Sequence, residues 1–276
     1  MDWSKAKNIL ILIFILLNGV LFFTLNRFYV EYNISKEIID NTVLALKNRN
    51  IIVKCDIPRY NSQTGTLSFN SNVLYKDKII KKLLGDSNLS QNNLEKEDEI
   101  KAGYKSLTFL TNDSFIFEDT KLELNFNFAD TNKLEKNIKN IVSEIGLPLT
   151  KYFIYEVKKN NDNSFSIILF EKYNEFIVYD NYIKLLIFPE KSLKLECKYR
   201  KTEQLNFKKK IIPAHQMLIS NFSTSKEQIT IISIDIGFKE YTMEVGTKEL
   251  DYIPVWRVKL LDGSENFFKV YTGEVI

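Results

Sequence analysis

One uncharged stretch, residues 8–26 (NILILIFILLNGVLFFTLN), constrains this chain more than any other feature. As a helix rising about 1.5 Å per residue it is roughly 28 Å long, which matches the ~30 Å hydrocarbon layer of a bilayer. A single segment can cross lipid only as a helix, because every backbone N–H and C=O must find a partner within it. Each central Leu, Ile or Phe adds about −0.3 to −0.6 kcal/mol to insertion, and together they outweigh the mid-span Asn18. A cleaved signal peptide would have a shorter apolar core followed by small residues, and residues 24–28 (TLNRF) offer no such site. The expected organisation is a cytoplasmic tail at 1–7, an uncleaved signal-anchor helix at 8–26, and an extracytoplasmic domain beyond. Lys5, Lys7 and the amino terminus against Arg27 and the more distant Lys36 place the N-terminus inside.

Past Arg27 helical and β patterns alternate, which predicts an α+β ectodomain of antiparallel sheets with about three packed helices. Residues 35–48 read as a helix capped by Ser35, with Ile39, Val43 and Leu46 on one face. Residues 132–145 carry the stripe Leu134, Ile138, Ile141 and Ile145, a capping box of Asn132 and Glu135, and the stop signals Gly146 and Pro148. A third helix is expected over 213–222, opened by a proline, and a short helical turn over 78–84. Period-2 alternation predicts strands at 122–128 and 193–199, and further ones at 152–157, 165–170, 183–188, 229–236, 253–260 and 266–271. Asp262-Gly263 is a hairpin signal, and the polar residues 87–99 read as a long loop. The order of elements suggests two similar lobes, 28–130 and 131–276.

Chemistry is scarce in these residues. The 38 basic and 35 acidic side chains are scattered, so no basic block points to nucleic acid. Two cysteines without a C-x-x-C pair and one histidine cannot assemble a zinc site of the usual spacing. Dinucleotide, phosphate-loop, nucleophile-elbow and zincin motifs are all absent. His215 falls at a helix start, where a locally bonded imidazole is the ordinary role. The acidic run 95–99 lacks the glycine and spacing of an EF-hand. Cys55 and Cys197 lie in phase with apolar neighbours and read as buried thiols; an oxidising exterior would permit a disulfide, as the minority expectation. The basic run 208–210 reads as solvated. No enzyme, cofactor or metal is expected.

Asn18 beside Gly19 stands out, because polar and small residues are what helices in lipid use to pack together. The opposing reading has its amide bonded to its own backbone. The opening Met1-Asp2-Trp3-Ser4-Lys5-Ala6-Lys7-Asn8-Ile9 resembles the N-terminus of the YycI (WalI) regulatory proteins. So do Ile253-Pro254-Val255-Trp256-Arg257-Val258, the glycine turn at Gly263, and Tyr271-Thr272-Gly273-Glu274. The resemblance implies a non-enzymatic accessory protein of an essential two-component system in Gram-positive bacteria. It would associate with a YycH-like sister protein and with the sensor histidine kinase YycG (WalK), at the cell membrane, in the service of cell-wall homeostasis. On that reading Asn18, Ile11, Phe14, Ile15, Phe22 and Leu25 make the contact inside the membrane. The alternatives are an anchored ligand-binding or chaperone-like module, marked by a large pocket or apolar patch, and an anchored wall-acting enzyme, marked by a cleft with convergent or pKa-shifted carboxylates.

Overall fold

A computed structural model of the chain describes residues 3–32, 34–70, 76–85, 99–121, 131–145, 151–242 and 250–276, some of them by backbone alone. In chain order the elements are α1 (Trp3–Tyr32), α2 (Lys36–Lys47), β1 (Ile51–Val53), β2 (Gln63–Asn70), α3 (Lys76–Leu84), β3 (Glu99–Ala102), β4 (Lys105–Phe109) and β5 (Ser114–Asp119). Then come α4 (Thr131–Ile145), β6 (Tyr152–Lys159), β7 (Phe165–Tyr173), β8 (Phe176–Ile187), β9 (Leu193–Lys198), β10 (Lys201–Lys210), α5 (Ala214–Asn221), β11 (Ile229–Thr242), β12 (Leu250–Leu260) and β13 (Glu265–Lys269). The expected strand at 122–128, most of the expected loop, and the helix stop at Gly146 and Pro148 lie outside the described residues.

The apolar stretch 8–26 falls wholly inside α1. Among the described residues no helix is long and apolar enough to cross a membrane; consecutive described side chains in α1 run only over 10–22. The structure thus gives the stretch its helical form and not its crossing. Every large apolar side chain from Leu10 to Phe22 is exposed, at 46–73%.

The chain divides into two compact units, and neither is a sequential lobe. One holds residues 1–64, 207–235 and 255–276; the other holds 65–206 and 236–254. The expected boundary near residue 130 instead lies inside the second unit. The reason is topological: β2, β10, β11 and β12 each pass from one unit into the other, which a reading in chain order cannot anticipate.

In the first unit Ser35 caps α2 as expected, its hydroxyl accepting from the Ile38 N–H. The buried positions of α2 are Thr42 and Leu46, with Ile39 and Val43 half-buried beside them. Thr42 is accommodated because its hydroxyl donates to the Ile38 carbonyl at 2.8 Å. Pro213 stands at the N-cap of α5 rather than in its first turn, and the Arg49 guanidinium donates to the Ile219 and Phe222 carbonyls at the other end, at 2.7 and 2.8 Å. β1 pairs parallel with the start of β11, while β12 and β13 form the expected hairpin, with Gly263 at φ 90° in its turn. Trp256 is fully buried, and its indole N–H donates to the Ile212 carbonyl at 2.8 Å.

The second unit is a mostly antiparallel sheet covered by α3 and α4. Strands β3, β4, β5, β9, β8 and β7 pair in that order, β6 follows on β7, and β11 joins β8 in parallel through Gly237↔Ile177 and Phe238↔Val178. Leu134, Ile138 and Ile141 of α4 are buried as expected and Val142 joins them; the Ile145 side chain lies outside the described ones. They meet Ile167, Leu169, Ile183 and Leu185 on the inward face of β7 and β8. Strand β9 alternates as its sequence requires, with Leu193, Leu195 and Cys197 inward.

Candidate functional site

On α1, the Asn18 side-chain amide donates to the Phe14 carbonyl one turn back, at 2.8 Å. That is the self-bonded geometry, and it uses one N–H of an amide that has two, plus a carbonyl. Ile11, Phe14, Ile15 and Phe22 are all exposed. The side chain of Leu25 lies outside the described ones.

The second unit builds a polar cluster that the sequence reading did not single out. Pairing of β7 with β8 jumps from Phe170↔Tyr182 to Glu171↔Val178, leaving residues 179–181 as a bulge on β8. Asn181, fully buried in that bulge, satisfies its whole amide: it donates to Glu171 and to the Arg200 carbonyl (2.7 Å), and accepts from the Arg200 N–H and the Tyr252 hydroxyl, each at 3.0 Å. The other Glu171 oxygen takes Thr202 at 3.3 Å and the Lys151 ammonium at 3.5 Å. Glu171 is fully buried, and desolvation raises its pKa above the ordinary carboxylate range despite the bonds from Asn181, Lys151 and Thr202. A signal for this was available: Glu171 continues the inward series Ile167 and Leu169, and Asn181 the series Ile183 and Leu185, so both stand where core residues belong.

Beside this cluster, Arg200 donates to Asp113 and, at 2.7 Å, to Glu240, which also takes Lys198 at 2.8 Å. The guanidinium lies 4.7 Å from the Phe69 ring centre, and Phe69 packs on Tyr252. Burial works to raise Asp113, but the Thr111 hydroxyl and the Arg200 charge overcome it and hold the carboxyl below its usual range. Lys198 and Arg200 do the same for Glu240 against burial.

The two kinds of carboxylate make opposite contributions to stability. For Glu171 the folded chain keeps a proton that the unfolded chain gives up, so stability falls as pH rises from about 4.5 through the raised value. Asp113 and Glu240 contribute above the ordinary carboxylate range and lose that contribution as pH falls through their depressed values. Glu171→Gln should therefore flatten the decline of stability as pH rises above about 4.5, by at most about 1.4 kcal/mol per pH unit for one proton. Melting temperatures in a pH series read this directly, and parallel curves for variant and parent would mean that Glu171 is not desolvated.

Glu171 is closed off from solvent, and among the described residues no group of three metal-ligating side chains occurs. His215 sits in the first turn of α5, half-buried, with its pKa lowered by desolvation and no hydrogen-bond partner at Nδ1. Cys55 and Cys197 are free thiols. Cys55 is half-buried just past β1, where burial and the charges of Asp235 and Asp56 push its pKa up to about 11; Cys197 is fully buried.

A cavity of about 830 Å³ does open in the second unit. It lies between α3, α4, the β3–β4 turn and strands β5 and β9, with Phe117, Leu193 and Leu195 of the sheet facing Leu83 and Ile141 of the helices. Smaller hollows of about 370 and 330 Å³ lie between α4 and β6 and, in the first unit, beside Phe222 and Phe268.

The family model of YycI proteins matches residues 30–271, nearly all of the chain past the apolar stretch. This chain belongs to the YycI family. YycI proteins are regulatory and non-catalytic, and the family points to the YycG/WalK two-component system. The fold is shared with an uncharacterized protein from Eubacterium rectale, at 11% identity and a TM-score of 0.51, over 86% of this chain and 98% of that one. The C-terminal domain of Bacillus megaterium YpeB aligns at 10% identity and a TM-score of 0.37, over 75% and 96% of the two chains. No curated protein matches. In a YycI protein the Glu171 and Arg200 clusters are intelligible as the polar locks of a sheet whose strands are bulged.

Proposed function

We propose that this YycI protein is a non-enzymatic regulator, anchored by α1 with its N-terminus in the cytoplasm and residues 28–276 outside the cell membrane. It biases a YycG/WalK-type sensor histidine kinase together with a YycH-like sister protein. The match to the YycI family over residues 30–271 carries this reading. The uncovered α1 supports it, because a helix that is apolar all round belongs in lipid or in a larger core.

Regulation of this kind needs contact and no chemistry. A kinase with two arrangements of its membrane helices shifts between them when a neighbour packs better against one, and about 1–3 kcal/mol of difference changes the balance 5- to 150-fold. Phe14, Asn18 and Phe22 follow one another at four-residue intervals and form a stripe. Asn18 has a second N–H and a carbonyl to offer across the helix pair. An interhelical bond of roughly 0.6–2 kcal/mol predicts that Asn18→Leu weakens association about 3- to 30-fold while leaving membrane levels unchanged. Ile13→Ala and Val20→Ala, on the opposite face, should do less. Co-purification of the full chain with the kinase and sister protein from membranes measures this. Association of Asn18→Leu at the parent level would move the contact out of α1, and absence of both partners from the purified material would remove the regulatory reading.

A further inference from the structure

We infer that the 830 Å³ cavity of the second unit binds an anionic saccharide, a sugar ring that carries a carboxylate or a phosphate. Its volume lies within the ~300–1,000 Å³ of ligand sites. The apolar side chains behind it, among them Phe117, Leu193 and Leu195, are each at most 5% exposed, so what a ligand meets there is polar. The polar groups come from one rung of the sheet. On the face covered by α3 and α4, Leu107, Phe117 and Leu195 stand side by side across β4, β5 and β9, and all three are buried. The next rung of that face reads Lys105, Asp119 and Leu193, which puts a cation and a carboxylate where the core would continue.

Opposite charges that face each other across two strands ordinarily close into a pair. Lys105 and Asp119 form no such pair among the described residues. The Lys105 ammonium turns to the Leu83 carbonyl at the end of α3, at 3.3 Å, which spends one of its three donors. Asp119 accepts the Lys121 backbone N–H at 2.9 Å on one oxygen, and the other takes no hydrogen bond from the described residues. Asp119 is only 8% exposed, and a carboxylate so enclosed calls for a further donor. Both side chains line the cavity. A hydroxyl answers the carboxylate because it donates, and an anion answers the ammonium because it accepts. Sugar hydroxyls beside an anionic group supply both. At the rim the exposed Lys121 holds its ammonium 4.9 Å from the centre of the Tyr104 ring, and that ring, 62% exposed, has surface left for the C–H face of a sugar. Asn140 and Ser143, exposed on α4, add groups that hydrogen-bond to hydroxyls. A neutral sugar would leave two ammonium groups without a counter-charge, and a simple anion would leave Asp119 without a donor. The site lies entirely within the second unit and stands whether or not the kinase contact through α1 does.

The test uses the full chain in phosphatidylcholine nanodiscs and saturation-transfer nuclear magnetic resonance, which reads weak binding from the ligand's own protons. Glucuronate and glucose 6-phosphate are the probes, glucose is the neutral control, and inorganic phosphate enters as a competitor. Saturation should reach the ring protons of glucuronate, of glucose 6-phosphate or of both, which identifies the anionic group, and glucose should bind roughly 10-fold more weakly. Phosphate should displace the anionic sugars only at about 10-fold higher concentration than they displace each other. Lys121→Gln, at an exposed position, should weaken their binding roughly 10-fold. Ser143→Trp, which keeps both lysines and fills the mouth, should weaken it as much, and both variants should melt at the parent's temperature. No transfer to either anionic sugar, glucose bound as tightly as they are, displacement by phosphate at equal concentration, or affinity unchanged in both variants overturns the assignment.

Discussion

Ile138→Asp should abolish the cooperative unfolding transition of the second unit, whereas Lys139→Asp, one residue along, should leave it within about 1 kcal/mol of the parent. Ile138 is fully buried in the middle of α4, in the core shared with Ile167, Leu169, Ile183 and Leu185. Replacing it removes about 1.5–3 kcal/mol of apolar burial and puts a carboxylate into a hydrophobic core. The total approaches or exceeds the ~5–15 kcal/mol by which a domain is stable at all. Lys139 is exposed and pairs at 2.7 Å with Glu135 one turn back, a bond worth about 0.3–0.5 kcal/mol. Reversing its charge exchanges that pair for a repulsion of similar size. Chemical denaturation followed by near-ultraviolet dichroism separates the two variants, and equal midpoints would mean that the buried face of α4 is another one.

Gly237→Ala should destabilise the same unit by about 3 kcal/mol or more, although glycine-to-alanine changes at unstrained positions usually stabilise by ~0.4–1 kcal/mol. A methyl group at this position would collide with the Ile177 carbonyl oxygen and come within 2.7 and 2.9 Å of the Tyr179 ring. The ring could turn aside, but the carbonyl belongs to the backbone of β8, directly across from Gly237 in the parallel register. Relief therefore requires β8 and β11 to separate just where the bulge at 179–181 begins. The double variant Gly237→Ala/Tyr179→Ala should recover only the part of the loss that comes from the ring. A melting temperature for Gly237→Ala at or above the parent's would show that the two strands approach less closely than this.

What the sequence determined alone was whatever depends on neighbours a few residues away. The uncharged run fixed a helix that contains 8–26, Ser35 fixed the start of α2, and the spacing of Leu134, Ile138 and Ile141 fixed the buried face of α4. The alternation through Leu193, Leu195 and Cys197 fixed β9 and its inward side, and Asp262-Gly263 fixed the last hairpin. Periodicity reports the shape of a segment and the side it buries, because helix and strand repeat at different intervals. It is silent on which distant segment lies opposite. Division into units at 64, 206, 235 and 254, the parallel pairing of β1 with β11, and the bulge that encloses Asn181 were decided by contacts between residues far apart in the chain. So was the character of Glu171, whose inward position was legible but whose raised pKa comes from full burial by distant segments, against the lowering effect of the bonds from Asn181, Lys151 and Thr202. The cavity follows the same rule: Leu83, Phe117, Ile141 and Leu195 read as ordinary core residues one by one, and only the packing of two helices over the sheet leaves the space between them unfilled.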